Sequence, residues 1–309
     1  MAKMSKVLLA LLLVFVMVFA TACGGDGEIK QPANVNGDSS ATSGNEGTSG
    51  DSGNNAGNTT NDEITIAESV LYEKDSVKVT VKGYEVGLFG PEIKLLIEND
   101  SSKNILITSD SVSVNGYMMP GAALYAEVAA GKKANESITL MSSELDQSGI
   151  ETVANIQFYL QVQDPETWDV VDTTDLLTLN TSADGYEQPV DDSGDVVYND
   201  KGYKVVCKGL KQDLIWDGTV VFYMENTSGK SVSIYAENVS VNGFMTEAGL
   251  WSDLRPNTRI VDGMSMLDLS DLEITNIDEI KNIEFSLRIV DEATWEDIAT
   301  TDVITLNFE

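Results

Sequence analysis

The chain has 309 residues, and its 19 basic and 50 acidic side chains give a formal net charge of −31. No basic patch interrupts this acidity, which argues against nucleic acid and anionic lipid headgroups as partners. His is absent, so His-dependent triads, His metal sites and the commonest general base are excluded. Because a Gly-rich phosphate loop is also missing, the sequence predicts a protein that is not an enzyme.

Residues 1–22 predict a signal peptide. Two lysines precede an apolar run over residues 7–20, whose 14 residues are too few to span a membrane as a helix. Ala20-Thr21-Ala22-Cys23 follows and resembles the lipobox of bacterial lipoproteins, in which the Cys is acylated and becomes the new N-terminus. The resemblance implies a palmitate-bearing Cys23 that anchors the protein in the lipid of the cell membrane, on its extracytoplasmic face. An ordinary secretory signal cleaved near Ala22 is the alternative.

Residues 23–62 predict a disordered tether that begins at the lipidated Cys23. The segment is rich in Gly, Asn and Ser and holds no aromatic residue, so it lacks the apolar surface that would offset chain entropy. A random-coil estimate for residues 24–62 gives a root-mean-square reach of about 35 Å. We therefore expect this segment to hold the folded part of the chain away from the bilayer.

An internal repeat organises the rest of the chain. The run from Val112 to Met118 (VSVNGYM) returns from Val239 to Met245 (VSVNGFM), a displacement of 239 − 112 = 127 residues. Such self-similarity indicates that one structural unit occurs more than once. We predict repeat 1 over residues 63–181, a linker over 182–195 and repeat 2 over 196–309.

Each repeat alternates apolar and polar residues with a period of two, which is typical of half-buried strands. Asn115-Gly116 and Asn242-Gly243 separate such runs and supply the positive φ angles of a type I′ hairpin. Leu145 and Ile150, with their counterparts in repeat 2, break the alternation and indicate a short helical connection. The predicted fold class is all-β, with two tandem antiparallel immunoglobulin-like sandwiches that each contain one short helical crossover.

The signal peptide, the lipobox, the tether and the repeats together resemble Firmicute-type surface lipoproteins. Each repeat carries a Glu-Asn-x-Ser-x-Lys loop, at residues 98–103 and 225–230, in addition to its Val-Asn-Gly turn. The repeats are similar to the DUF4352 group, domains of unknown function with immunoglobulin-like sandwiches. This resemblance implies an extracytoplasmic, membrane-anchored protein without enzymatic activity, and it supplies no ligand.

The repeated Asp-x-x-x-Trp motif is the sharpest polar-aromatic pattern, and it ends at Trp168 in repeat 1 and Trp295 in repeat 2. Each Trp is a candidate platform for a sugar ring or a partner protein. The competing interpretation is structural, with the Asp capping a turn while the Trp folds over the edge of the sandwich. Repeat 2 adds Trp216, which has no clear counterpart, and Trp251, which falls opposite Leu124 at the common displacement.

Metal and thiol chemistry have one candidate each. Asp191, Asp192 and Asp195 form the densest acidic cluster and resemble part of an oxygen-ligand calcium loop, although the later bidentate Glu of an EF-hand is missing. Calcium is thus the only cofactor considered, and none is predicted. Cys207 aligns with Val81 on the apolar face of a predicted strand, which indicates a buried thiol rather than a reactive one.

We therefore predict a binding or adhesion module for an extracellular protein or glycan. The alternative is a structural spacer of the cell envelope that has no specific ligand. An exposed apolar or aromatic patch present in one repeat only would favour binding.

Overall fold

The computed structural model describes residues 29–36, 64–183, 185–212, 218–266 and 269–308. Strands account for nearly all of the regular structure in these ranges, and the sheets are antiparallel apart from one parallel contact between the repeats. None of the sheets formed by the described residues closes into a barrel. The predicted all-β class with sandwich domains is therefore confirmed, whereas the signal peptide and Cys23 lie outside the described residues.

Strands are numbered in chain order. The N-terminal segment contains two short strands, β1 (Ile29–Lys30) and β2 (Asn34–Asn36). The strands of repeat 1 are β3 (Ser69–Lys74), β4 (Val77–Val86), β5 (Pro91–Asn99), β6 (Ile105–Val114), β7 (Tyr117–Met118), β8 (Tyr125–Val128), β9 (Lys132–Thr139), β10 (Asn155–Gln163), β11 (Val170–Thr173) and β12 (Leu177–Asn180). The strands of repeat 2 are β13 (Asp195–Asp200), β14 (Tyr203–Lys211), β15 (Gly218–Asn226), β16 (Val232–Val241), β17 (Phe244–Met245), β18 (Ala248–Gly249), β19 (Trp251–Leu254), β20 (Thr258–Met266), β21 (Asn282–Asp291), β22 (Asp297–Thr300) and β23 (Ile304–Asn307).

Each repeat packs two sheets around an apolar core. In repeat 1 one sheet has the order β3-β4-β5-β9, and the other is built on the pair β6-β10, flanked by β7, β8, β11 and β12. Repeat 2 has the same plan, with β13-β14-β15-β20 facing a sheet built on β16-β21. The strictly alternating residues Ile156, Phe158 and Leu160 are fully buried, as are Ile283, Phe285 and Leu287. The period of two therefore gives each strand one face for the core.

The helical crossover differs between the repeats. Repeat 1 has the predicted short helix, α1 (Ser142–Gln147), which buries Leu145. Repeat 2 instead has two short 3-10 turns, Leu269–Leu272 and Ile277–Glu279. The second of these turns is held by a capping box, in which the side chain of Asn276 accepts from the backbone of Asp278. The prediction of one crossover helix is therefore confirmed only for repeat 1.

The repeated turns have the backbone that the sequence predicts. Asn115 and Gly116 have φ values of 51° and 83°, and Asn242 and Gly243 have 50° and 82°, so both hairpins are confirmed as type I′ turns. Each Asn side chain also ties the turn to the crossover. The Oδ1 of Asn115 accepts from the N–H groups of Ala154 and Asn155, both at 3.0 Å, and Asn242 makes the equivalent contacts in repeat 2.

The Asn of each Glu-Asn-x-Ser-x-Lys loop is a buried anchor. Asn99 and Asn226 have no exposed surface. The Nδ2 of Asn226 donates to the carbonyl oxygens of Lys230 at 2.8 Å and Leu254 at 3.1 Å, and its Oδ1 accepts from the N–H of Ser228 at 2.9 Å. Asn99 repeats this pattern, so one side chain closes the loop and fixes it to the neighbouring strand. The two repeats share this motif because the buried Asn makes the same hydrogen bonds in both.

The segment from residue 29 to residue 36 is ordered against repeat 2, although it lies within the predicted tether. Strand β1 pairs with the end of β14, and β2 pairs with β23, so the segment crosses from one sheet of repeat 2 to the other. Pro32 is buried, and Val35 packs against the core of repeat 2. The prediction of disorder is wrong for these residues because sheet edges supply backbone hydrogen bonds that composition alone does not reveal.

The two repeats pack directly on one another through the turn after β6. Tyr117 in β7 is the parallel-bridge partner of Arg259 in β20, and the N–H of Arg259 donates to the carbonyl of Gly116 at 2.9 Å. Met118 joins the core of repeat 2, whereas Val206 of repeat 2 belongs to the core of repeat 1. We call this contact the joint.

Arg255 strengthens the joint from repeat 2. It is 5% exposed, and its guanidinium donates to the carbonyl of Ser111 at 3.1 Å and to the hydroxyl of Ser113 at 2.6 Å. On the other side of the joint, the amide of Gln147 in α1 donates to the carbonyl of Val261 at 3.0 Å. Arg255 and Gln147 thus pair buried polar groups across the joint, as most buried polar groups of a stable interface are paired.

Candidate functional site

The acidic cluster considered for calcium is engaged with lysines. Asp191 lies 2.7 Å from the Nζ of Lys208, and Asp192 lies 2.6 Å from the Nζ of Lys204. The hydrogen bond from Lys208 is the main cause that lowers the pKa of Asp191 to about 2. Asp195 instead lies in β13, where it is the antiparallel partner of Cys207. Among the described residues, no three His, Cys, Asp or Glu side chains meet as a cation site.

Cys207 is a core residue, as its alignment with Val81 predicts. It has no exposed surface, and burial raises the pKa of its thiol to about 12. A thiol with so high a pKa forms little thiolate at neutral pH, so this Cys is a poor nucleophile.

The Asp-x-x-x-Trp motifs form capped turns, as the structural interpretation predicts. The Oδ1 of Asp164 accepts from the N–H of Glu166 at 2.9 Å, and the N–H of Trp168 donates to the carbonyl of Asp164 at 2.8 Å. Asp291 and Trp295 repeat these contacts in repeat 2. Both Trp residues have a positive φ, 66° for Trp168 and 59° for Trp295, in a region that favours Gly or Asn.

The indole rings of these turns remain accessible. Trp168 is 40% exposed and Trp295 is 59% exposed, so neither ring is folded away into a core. The ring centroid of Trp168 lies 6.1 Å from that of Tyr125 in β8. A strained conformation kept in both repeats for a half-exposed aromatic ring is consistent with a role at the surface. The capped turn and the exposed ring therefore occur together at both positions.

Trp251 forms the best-defined aromatic surface of repeat 2. It is 61% exposed, and its ring centroid lies 5.2 Å from that of Tyr235, its cross-strand partner in β16. The indole N–H donates to the Oδ1 of Asp253 at 2.9 Å. One ring contact and one hydrogen bond thus fix the orientation of an exposed indole, with a carboxylate beside it. We call Tyr235, Trp251 and Asp253 the aromatic platform.

Strand register changes the counterpart of Trp251 in repeat 1. Trp251 pairs with Tyr235 in repeat 2, and Tyr125 pairs with Thr108 in repeat 1, where 235 − 108 = 127. Trp251 is therefore equivalent to Tyr125 and not to Leu124, because repeat 2 is one residue shorter between the hairpin and this strand. Both repeats place an aromatic residue at this site. Trp216, the fourth candidate, lies outside the described residues.

A second exposed apolar surface was not predicted as a site. In repeat 2 the residues after the Asn-Gly turn are Phe244, which is 62% exposed, and Met245, which is 67% exposed. Their counterparts, Tyr117 and Met118, are 1% and 6% exposed because they fill the joint. The repeated turn sequence could have indicated this surface, because repeat 2 covers the hairpin of repeat 1, whereas no other part of the described chain covers the hairpin of repeat 2. The exposed hairpin is thus specific to repeat 2.

One buried carboxyl group at the joint has an altered acidity. Glu144 in α1 accepts a hydrogen bond from the N–H of Gly121 at 2.7 Å, and its other carboxyl oxygen is buried without a partner among the described residues. Burial raises the pKa of Glu144 to about 7, and the nearby Asp262 of repeat 2 adds to this rise. This carboxyl group lies between the repeats rather than in an open cleft. Its ionisation therefore affects the stability of the fold and does not indicate a catalytic site.

Comparisons with known proteins leave the family of the chain open. No protein-family model and no curated protein matches. A red sea bream transglutaminase aligns over 77% of this chain and 32% of its own, with 9% identity and a TM-score of 0.21. The YadV chaperone aligns over 69% and 91% of the two chains, with 10% identity and a TM-score of 0.23.

The third comparison is a structure described as concerning host cell surface retention of a bacterial ice-binding adhesin. It aligns over 70% of this chain and 57% of its own, with 11% identity and a TM-score of 0.18. The chain thus spans about a third of the transglutaminase and over half of the adhesin structure. At these TM-scores and identities the similarity carries no argument about fold or function. Within the described ranges, no helix has both the length and the apolar character needed to cross a bilayer.

Proposed function

We propose that the chain is a membrane-anchored, extracytoplasmic binding module that contacts an extracellular glycan or protein through the aromatic platform of repeat 2. The observation that carries this proposal is the exposed and oriented indole of Trp251, which contacts the tilted ring of Tyr235 and donates a hydrogen bond to Asp253. Aromatic side chains dominate binding surfaces because they offer a large contact area at a low entropic cost. An indole fixed before binding loses little further freedom.

The chemistry of the platform favours a glycan over a protein. The exposed indole of Trp251 presents an apolar ring surface, and the carboxylate of Asp253 beside it offers acceptors to hydroxyl groups. The formal charge of −31 disfavours polyanionic ligands. A neutral or cationic polysaccharide is therefore the expected ligand class, and an extracellular protein is the second outcome that a binding screen can reveal.

Binding can be tested with the mature chain from residue 24 onward, screened against neutral, cationic and acidic glycans and against extracellular proteins, with and without calcium. We expect a glycan ligand whose binding is lost in Trp251→Ala. Phe89→Ala is the matched control, since Phe89 is 63% exposed in repeat 1 and lies away from the platform. Ligand binding that survives Trp251→Ala would refute the platform, and the absence of any ligand would support the spacer.

Anchoring is tested separately. If the lipobox resemblance is correct, Cys23→Ala releases the protein from the membrane fraction of cells that express it. A variant that stays membrane-bound at full length would show that the N-terminal segment anchors the protein without lipidation. This outcome does not bear on ligand binding by the aromatic platform, because the binding screen uses soluble protein.

A further inference from the structure

The joint between the repeats is a contact that the chain can make a second time. It joins the Asn-Gly hairpin of repeat 1 to the outer face and free edge of the β13-β14-β15-β20 sheet of repeat 2. Because the repeats share one plan, repeat 2 carries an equivalent hairpin and repeat 1 carries an equivalent sheet. Neither is covered by another part of the described chain.

The hairpin of repeat 2 retains the apolar residues that fill the joint. Phe244 stands where Tyr117 stands in repeat 1, and Met245 stands where Met118 stands. Both side chains are more than 60% exposed, and no other part of the described chain covers them. Large apolar side chains that lie exposed side by side are typical of a surface that contacts a partner.

The sheet of repeat 1 keeps the charged pair found on the surface of repeat 2 that contacts the hairpin. In repeat 2, Arg259 lies opposite Glu225 and also receives Tyr117, with its guanidinium carbon 5.4 Å from the ring centroid. In repeat 1 the equivalent residue is Lys133, which lies opposite Glu98 and forms an ion pair with it. Lys133 is on β9, the last strand of its sheet among the described residues. It can therefore offer a cation to an aromatic ring as Arg259 does.

The outer face next to Lys133 is less apolar than its counterpart but has equivalent cross-strand pairs. The buried cross-strand pair Val206 and Tyr223 of the joint corresponds to Thr80 and Leu96 in repeat 1, which are also cross-strand partners. Thr80 and Leu96 line a shallow groove on this face together with Val70, which is 49% exposed. The groove in repeat 1 is at the position equivalent to the part of repeat 2 that contacts the hairpin of repeat 1.

We propose that the chain associates head to tail, with the Phe244–Met245 hairpin of one copy docking on the β9 edge and outer sheet face of repeat 1 in a second copy. The contact reproduces the joint between molecules, with Phe244 over Lys133 in place of Tyr117 over Arg259. Its two surfaces differ, so it is heterologous, and successive copies add in the same direction to form an open chain or a ring. The association requires neither the lipid nor the glycan ligand.

Sedimentation velocity of the mature chain, from micromolar to millimolar concentrations, tests this proposal. We expect the mass to rise with concentration beyond that of a dimer. Phe244→Glu and Lys133→Glu should each weaken association by at least about tenfold, as expected when a central apolar or paired contact is lost. Leu88→Glu is the control, because Leu88 is 89% exposed at a hairpin outside the contact and should associate like the wild type. Thermal melts should show that all three variants fold.

Mixing the two variants separates head-to-tail association from other modes. Phe244→Glu retains an intact sheet and Lys133→Glu retains an intact hairpin, so their mixture should form dimers and nothing larger. In a second experiment, chains carrying Phe244→Cys and chains carrying Lys133→Cys should form a disulfide-linked dimer, since the bridge partners Tyr117 and Arg259 show that these positions come close. A wild type that is monomeric throughout would overturn the proposal. A Lys133→Glu variant that associates normally would do so as well.

Discussion

Replacing Glu144 with Gln should stabilise the folded chain at alkaline pH and leave it unchanged in acid. Burial at the joint raises the pKa of this carboxyl group from 4.5 to about 7, with Asp262 adding to the rise and the Gly121 N–H opposing it. A carboxyl group whose pKa is higher in the folded state binds its proton more tightly there. Its ionisation therefore costs stability, and the cost appears as the pH rises from about 4.5 through 7.

The size of the effect follows from the two pKa values. Their difference, 7 − 4.5 = 2.5, corresponds to about 3.5 kcal/mol at roughly 1.4 kcal/mol per pKa unit. Gln keeps the acceptor for Gly121 at 2.7 Å and carries no charge at any pH. We expect Glu144→Gln to gain about 2–3 kcal/mol at pH 8, less the cost of burying an amide N–H without a partner. For a folded region of this size this corresponds to a rise in Tm of roughly 5–10 °C.

Thermal melts of the mature chain at pH 4.5 and pH 8 measure the difference directly. Glu151→Gln is the matched control, since it removes an exposed carboxylate from the same crossover and should leave Tm unchanged at both pH values. The reasoning is refuted if Glu144→Gln is destabilising at pH 8, or if it stabilises equally at both pH values. In the latter case the gain would come from packing and not from the charge.

Five further substitutions test the fold. Gly116→Val and Gly243→Val should each cost about 1–3 kcal/mol of stability. The cost comes from the positive φ alone, because an added Cβ meets no atom within 4 Å at either site. Melts that leave both variants at the wild-type Tm would argue against the hairpin assignment. Cys207→Val should stay within about 1.5 kcal/mol of the wild type, and the native thiol should resist labelling reagents until the chain unfolds. Asn226→Ala should cost about 2–3 kcal/mol in denaturant titrations, since buried carbonyl groups lose their donor, whereas a neutral result would mean that water replaces the amide. Gly209→Ala places a Cβ against the side chain of Ile29, so hydrogen exchange at residues 34–36 should accelerate while the two sandwiches stay protected. Unchanged exchange at residues 34–36 would contradict the docking of the N-terminal segment.

The features that the sequence predicted correctly depend on neighbouring residues. The period of two places Phe158 and Phe285 in the cores, because consecutive side chains of a strand point to opposite faces. Asn-Gly dictates the hairpin at residues 242–243, because few other pairs tolerate two positive φ values. The cap of the turn that ends at Trp295 is also local, since the Oδ1 of Asp291 accepts from the N–H groups of Ala293 and Thr294.

Pairings between distant segments were decided only by the tertiary structure. Residues 29–36 have few apolar side chains and resemble the tether around them, yet the open edges of β14 and β23 order them. The equivalence of Trp251 and Tyr125 depends on a one-residue difference in loop length, which the displacement of 127 conceals and strand register reveals. The contrast between buried Tyr117 and exposed Phe244 has the same origin. Nearly identical local sequences adopt the same hairpin, and burial depends on whether another sheet lies against it.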